Sequence, residues 1–131
     1  MASISINVGD TFLLTTPPND RHLYIVIAQI SDNSYLFVNA TTRRENSEIT
    51  CILTPSYGVP DFIRKESVIV YKYAREISVV EIEKLISQGD CTSKGFCSAT
   101  IVEQIQQGGL VSRRLQNKYK AALKAFLDIL Y

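Results

Sequence analysis

The pattern of hydrophobic and polar positions changes its period partway along the chain. In the first 75 or so residues, short apolar and β-branched runs alternate with turn-forming residues, and the runs occupy positions 11–16, 23–30, 35–38, 49–53 and 67–74. Branched and aromatic side chains suit a pleated surface, so each run predicts a strand. The run LYIVIAQI at 23–30 is too long and too apolar for a one-sided strand. We therefore expect it to be a central strand that is buried on both faces.

From Ser78 onwards the apolar positions recur about every 3.6 residues, which predicts helices. SVVE at 78–81 matches a capping box, and a first helix should follow it. GDCTSKGF at 89–96 is interpreted as a loop. A second helix is expected over 99–107, ending at the glycine pair 108–109. A third should start near residue 112, and its apolar stripe comprises Leu115, Tyr119, Ala122, Phe126 and Ile129.

These elements predict an α+β fold that is mainly β, with about five strands followed by three C-terminal helices. Several short strands favour a small barrel or rolled sheet, because closure removes strand edges that would otherwise aggregate. The 131 residues fit one domain, and no linker demands a second. We expect a β-barrel over residues 1–76 and a helical extension over residues 77–131 that packs on it.

Composition narrows the function classes. Apolar residues make up 46% and charged residues 21% of the chain, which is typical of a soluble globular protein. The net charge of +1 means that any basic site must be local. No segment approaches 18 consecutive apolar residues, so no membrane span is expected. An odd set of three cysteines with one histidine predicts no metal site and no cofactor, and free thiols without a signal peptide favour the cytoplasm.

One polar cluster lies where a plain hairpin would need only a turn. Thr41, Thr42, Arg43 and Arg44 follow one another between two predicted strands. The two arginines could simply solubilise the hairpin, with nearby glutamates as partners, and exposed pairs of that kind contribute about 0–1 kcal/mol. The alternative is that the cluster forms part of a binding site.

The motifs favour the binding site through a resemblance. VGDTFLL, HLYIVI, LFVNATT, TCIL and DFIRKESVIVYKYAR follow the order of the PemK/MazF-like family of bacterial toxins, and the likeness is greatest to little-characterised bacterial relatives of these toxins. It covers roughly residues 7–76. The resemblance implies an SH3-like β-barrel that is often a homodimer. It also implies a metal-independent endoribonuclease that acts on single-stranded RNA and is neutralised by an antitoxin protein.

The same resemblance places the site at the start of the second strand and the end of the third. Arginine suits the phosphate because its planar fork donates several charge-assisted hydrogen bonds, and histidine suits proton transfer. The implied catalytic residues are Arg21, His22, Thr41 and Arg43. The implied nucleic-acid-binding residues are Thr42, Arg44, Arg64 and Lys65.

Departures from the family pattern keep two alternatives open. The loop before the second strand is only TTPPND, Arg21 is followed by His22 rather than proline, and the relatives' HPFI is PDFI at 60–63. One alternative is therefore a toxin-fold module that has lost catalysis and binds proteins. The other is DNA binding by a helix–turn–helix over 98–126, since the chain from Arg113 onwards carries five basic side chains and one acidic.

Overall fold

The computed structural model describes residues 4–16 and 20–130, and within them it forms an α+β fold that is mainly β. The strands in this part of the chain are β1 Asp10–Thr16, β2 Asp20–Ser31, β3 Ser34–Thr42, β4 Ile52–Leu53, β5 Ser67–Ser78 and β6 Cys91–Phe96. The helices are α1 Val79–Ser87, α2 Ala99–Val111 and α3 Asn117–Leu130. No helix in the described ranges has the length and apolar character needed to cross a membrane.

The strands form one antiparallel sheet in the order β4-β5-β3-β2-β1-β6, which curls into a half-barrel with β4 and β6 at its edges. Strand β2 lies near the middle, and residues 23–28 are all buried. The prediction of a central strand buried on both faces is confirmed. The reason is that each face of the sheet carries its own hydrophobic core.

Successive side chains of β2 point to opposite faces, and so they enter different cores. Leu23, Ile25 and Ile27 pack on the face that α2 and α3 cover, together with residues such as Ile105 and Leu123. Tyr24 and Val26 pack on the opposite face, where α1 contributes Ile82 and β1 contributes Phe12. The helices thus cover both sides of the sheet.

The predicted loop at 89–96 is wrong, because residues 91–96 form strand β6 and pair with β1. Cys91 is buried in the α1-facing core, whereas residues 92–96 are exposed. An edge strand of this kind has no alternating apolar signal, and its lysine and glycine are residue types that strands usually avoid.

The boundaries of the last two helices also differ from expectation. Helix α2 continues to Val111, so Gly108 and Gly109 are buried inside it and do not end it. Helix α3 begins at Asn117 rather than near residue 112. The physical reason for the first error is close packing of the glycines against the sheet and α3, which a sequence pattern cannot show.

The predicted apolar stripe of the third helix is right in part. Leu115 is buried but precedes α3, and Tyr119 and Phe126 are partly buried against the core. The buried side chains of α3 are instead Leu123 and Leu127. The side chain of Ile129 lies outside the described residues.

The start of α1 confirms the serine half of the predicted capping box. The Ser78 hydroxyl accepts a hydrogen bond from the Glu81 backbone N–H at 3.1 Å, as a capping serine should. The Glu81 carboxylate lies 3.5 Å from the Arg75 guanidinium. Strand β5 ends at Ser78 and α1 begins at Val79, so no loop separates the two elements.

Candidate functional site

Three distant segments meet at one end of the sheet because of the strand register. In the β2–β3 pair, Leu23 lies opposite Ala40, so the start of β2 lies beside the end of β3. In the β3–β5 pair, Thr42 lies opposite Ser67, which brings in the segment before β5. The backbone N–H of Arg43 donates to the carbonyl oxygen of Glu66 at 2.9 Å and continues this pairing past the strand ends.

These segments enclose a cavity of about 330 Å³, called here the cationic cavity. Three of its lining side chains, Arg21, Arg64 and Lys65, carry positive charge, and none of the described lining residues is acidic. A concave cluster of positive charge attracts anions. The full lining is Arg21, His22, Leu23, Ala40, Thr41, Thr42, Phe62, Ile63, Arg64, Lys65 and Ser67.

His22 and Thr41 line the cationic cavity together with the three cations. Both also line an adjacent cavity of about 380 Å³ with Tyr24, Asn39 and Tyr73, so they lie between two accessible spaces. The imidazole is partly exposed. His22 is the sole histidine of the chain, and it shares the lining of the cationic cavity with the three cations.

The structure brings six of the eight sequence-predicted residues to the cationic cavity, but not Arg43 or Arg44. The Arg43 guanidinium pairs with the Glu66 carboxylate at 2.7 Å. Both arginines lie beside a neighbouring open cavity of about 510 Å³ that they share with Thr42, Glu45, Lys65 and Glu66. Arg43 was expected beside His22 and Thr41, and it follows the end of β3 by one residue, which directs it to this neighbouring cavity.

Phe62 lines the cationic cavity and was missed by sequence reasoning. Its side chain is 47% exposed, although the next residue, Ile63, is buried in the core. The ammonium group of Lys94 lies 5.8 Å from the centre of the Phe62 ring. An aromatic residue two positions before the basic pair Arg64-Lys65 was a usable signal, but its side chain could equally have been assigned to the core.

The basic residues of the C-terminal segment do not form the predicted recognition helix. Arg113 and Arg114 lie in the connection between α2 and α3, and Lys118 lies in the first turn of α3. Arg114 lines a separate cavity with Arg44, Lys72 and Tyr73, among other residues. The turn of the expected helix–turn–helix is also displaced, because its glycine pair lies inside α2.

Among the residues that the structure describes, no group of three or more histidine, cysteine, aspartate or glutamate side chains is arranged to hold a metal ion. No model of a known protein family matches the chain, and no curated protein matches it. The likeness to the PemK/MazF-like toxins therefore stands on the motifs quoted above and stays a prediction.

Proposed function

We propose that the protein is a toxin-like RNA-binding protein that acts as a metal-independent endoribonuclease in a bacterial toxin–antitoxin or defence system in the cytoplasm. One observation supports this proposal most directly: a cavity with three cationic side chains, no acidic residue among its described lining, and the chain's single histidine at its edge. In this proposal the half-barrel is an opened variant of the SH3-like barrel, and its partners are single-stranded RNA, an antitoxin and a second copy of the chain.

The proposed chemistry starts from an RNA phosphate held by Arg21, Arg64 and Lys65. The neighbouring 2′-hydroxyl gives its proton to His22, and its oxygen attacks phosphorus. The bond from phosphorus to the 5′ oxygen breaks, and His22 returns the proton to that oxygen. The products are a 2′,3′-cyclic phosphate and a 5′-hydroxyl, and the three cations stabilise the extra negative charge that develops in between.

The threonines and Arg43 have supporting roles in this proposal. The Thr41 and Thr42 hydroxyls can donate to phosphate or ribose oxygens, which positions the RNA backbone. Arg43 is engaged with Glu66 through both backbone and side chain. It therefore acts as a positioning residue that keeps the end of β3 next to the segment carrying Arg64 and Lys65.

The test is cleavage and binding of a single-stranded RNA in EDTA by the purified protein. Arg64→Ala should lower the cleavage rate about 10²- to 10³-fold, as deletion of one preorganised donor typically does. His22→Gln should lower it about 10²- to 10⁴-fold while leaving binding close to wild type. Arg113→Ala is the matched control, since that arginine is exposed outside the cationic cavity, and it should change neither property.

Other outcomes would replace the proposal. RNA binding that Arg64→Ala weakens, without cleavage by the wild type, would indicate a toxin fold that has lost catalysis. Duplex DNA binding that depends on Arg113 and Lys118 but not on Arg64 would favour the helix–turn–helix alternative. Absence of any nucleic-acid binding would overturn the proposal.

A further inference from the structure

Phe62 is held in its exposed position by a well-anchored segment. On either side of it, Val59 and Ile63 are buried in the core that faces α2 and α3. The Ser98 backbone N–H donates to the Gly58 carbonyl oxygen at 2.9 Å, and the Ile63 N–H donates to the Pro60 carbonyl oxygen at 2.9 Å. Because its neighbours are fixed, the Phe62 ring is presented to solvent at the rim of the cationic cavity.

Lys94 reaches the same ring from strand β6. In the pairing of β1 with β6, Asp10 lies opposite Phe96 and Phe12 lies opposite Ser93. One residue separates these pairs on β1 and two residues separate them on β6, so β6 carries a bulge. Gly95 adopts a φ of 90° at this bulge, a conformation that glycine accepts readily. Bulges redirect side chains, and here the redirected Lys94 ammonium lies over the Phe62 ring.

We propose that Phe62 is a base-stacking residue for single-stranded RNA, with Lys94 contacting the phosphate of the stacked nucleotide. The inference rests on the proposed function and deepens it by assigning the subsite that holds a base next to the scissile phosphate. A nucleotide joins a flat apolar ring to an anion, and this end of the sheet offers an exposed aromatic ring beside three cations. Lys94 lies over one face of the ring, and the proposal places the base on the opposite face.

An apolar protein side chain is a poorer match to this surface. Arg21, Arg64 and Lys65 share the cavity with Phe62, and no acidic side chain among the described lining residues offsets them. A protein partner would need acidic groups next to its apolar anchor, whereas every RNA segment supplies both the anion and the ring. Stacking on an aromatic side chain is also tolerant of base identity, so this subsite would bind single strands without selecting a particular sequence.

The experiment compares two probes, a short single-stranded RNA and a matched strand that carries abasic ribose at every position. Phe62→Leu should weaken binding of the RNA roughly 10- to 100-fold, which corresponds to loss of one stacked base. Phe62→Tyr should bind like the wild type, because it keeps an aromatic ring. The abasic strand should bind the wild type and Phe62→Leu equally. Tyr57→Leu, which removes another exposed aromatic ring outside the cationic cavity, is the control and should have no effect.

Melting temperatures of the variants should match the wild type, since the ring is half exposed. The inference is overturned if Phe62→Leu binds RNA as tightly as the wild type does. It is also overturned if the substitution weakens binding of the abasic strand as much as it weakens binding of the RNA. If Arg64→Ala weakens RNA binding while Phe62→Leu does not, the stacking role alone fails and the proposed function stands. If the wild type binds no RNA, the proposed function fails and the stacking role falls with it.

Discussion

Tyr71 fixes the position of helix α2 through one hydroxyl group. The side chain is fully buried in the sheet, and its hydroxyl donates to the Ile105 carbonyl oxygen at 2.7 Å. Burial raises the pKa of Tyr71 above its ordinary value, which keeps the donor protonated. A Cβ atom at Gly108 would lie 2.3 Å from the same hydroxyl oxygen. Glycine at this position is therefore a packing requirement, and it lets the helix approach the sheet closely.

Gly108→Ala should destabilise the protein, although alanine normally stabilises a helix interior by about 1 kcal/mol relative to glycine. We expect a net loss of about 1–3 kcal/mol in the free energy of unfolding, because the added methyl group overpacks the contact with Tyr71. In a Tyr71→Phe background the cost should be smaller, since the nearest atom is gone. Urea unfolding of the four proteins measures the coupling, and additive effects of the two substitutions would contradict this account.

At the scale of elements, the segment between β4 and β5 is docked on the start of α2. Gly58 has a φ of 94°, and a Cβ atom there would lie 2.6 Å from the Ser98 hydroxyl oxygen. That hydroxyl caps α2 by accepting from the Ile101 N–H at 3.3 Å. Gly58 is thus constrained in two ways: its backbone is left-handed, and it lies in close contact with the residue that caps α2.

Gly58→Ala should therefore be more destabilising than Gly89→Ala. Gly89 has a φ of 80° with no atom near its added Cβ, so alanine there should cost only the left-handed conformation, about 1–2 kcal/mol. At Gly58 the Ser98 hydroxyl must also leave its capping position, which adds about 0.5–2 kcal/mol. Thermal unfolding of both variants provides the measurement, and equal melting temperatures would mean that the docked segment tolerates the methyl group.

Elements with a local signal could be predicted from the sequence, and elements defined by distant contacts could not. The apolar run of β2 and the Ser78 cap carry their information within a few residues. Strand β6 is exposed over residues 92–96 and becomes a strand only by pairing with β1. The glycine pair of α2 resembles a helix end, and its real role depends on Tyr71, which lies far away in the sequence.

At the scale of the whole molecule, the residues of the candidate site also divide into those that the sequence could place and those that it could not. The resemblance implied that the start of β2 and the end of β3 meet, and the strand register and the cavity lining bring His22 and Thr41 together there. The separation of Arg43 from them depends on its ion pair with Glu66, and the exposure of Phe62 depends on burial of its neighbour Ile63. Side-chain direction beyond a strand end is set by such contacts, and no residue pattern encodes them.

The three cysteines lie in the two hydrophobic cores and make the free energy of unfolding depend on pH. Cys51, Cys91 and Cys97 are free and buried. Burial raises the pKa of Cys51 and of Cys91 from 9.0 to about 11, and that of Cys97 to about 12. Above about pH 9 the unfolded chain loses thiol protons that the folded chain keeps. Unfolding then releases protons, so the free energy of unfolding falls as pH rises from about 9 towards 11.

Cys97→Ala isolates one thiol in this pH range. The variant should be less stable than the wild type at pH 8, because it leaves a small cavity in the core. Between pH 9 and 11 the gap should narrow by about 1.4 kcal/mol for each pH unit, since only the wild type loses the contribution of this thiol as pH rises. Urea unfolding in the presence of a reductant, at several pH values between 8 and 11, measures both proteins. A gap that stays constant across this range would show that Cys97 ionises as easily in the folded chain as in the unfolded one.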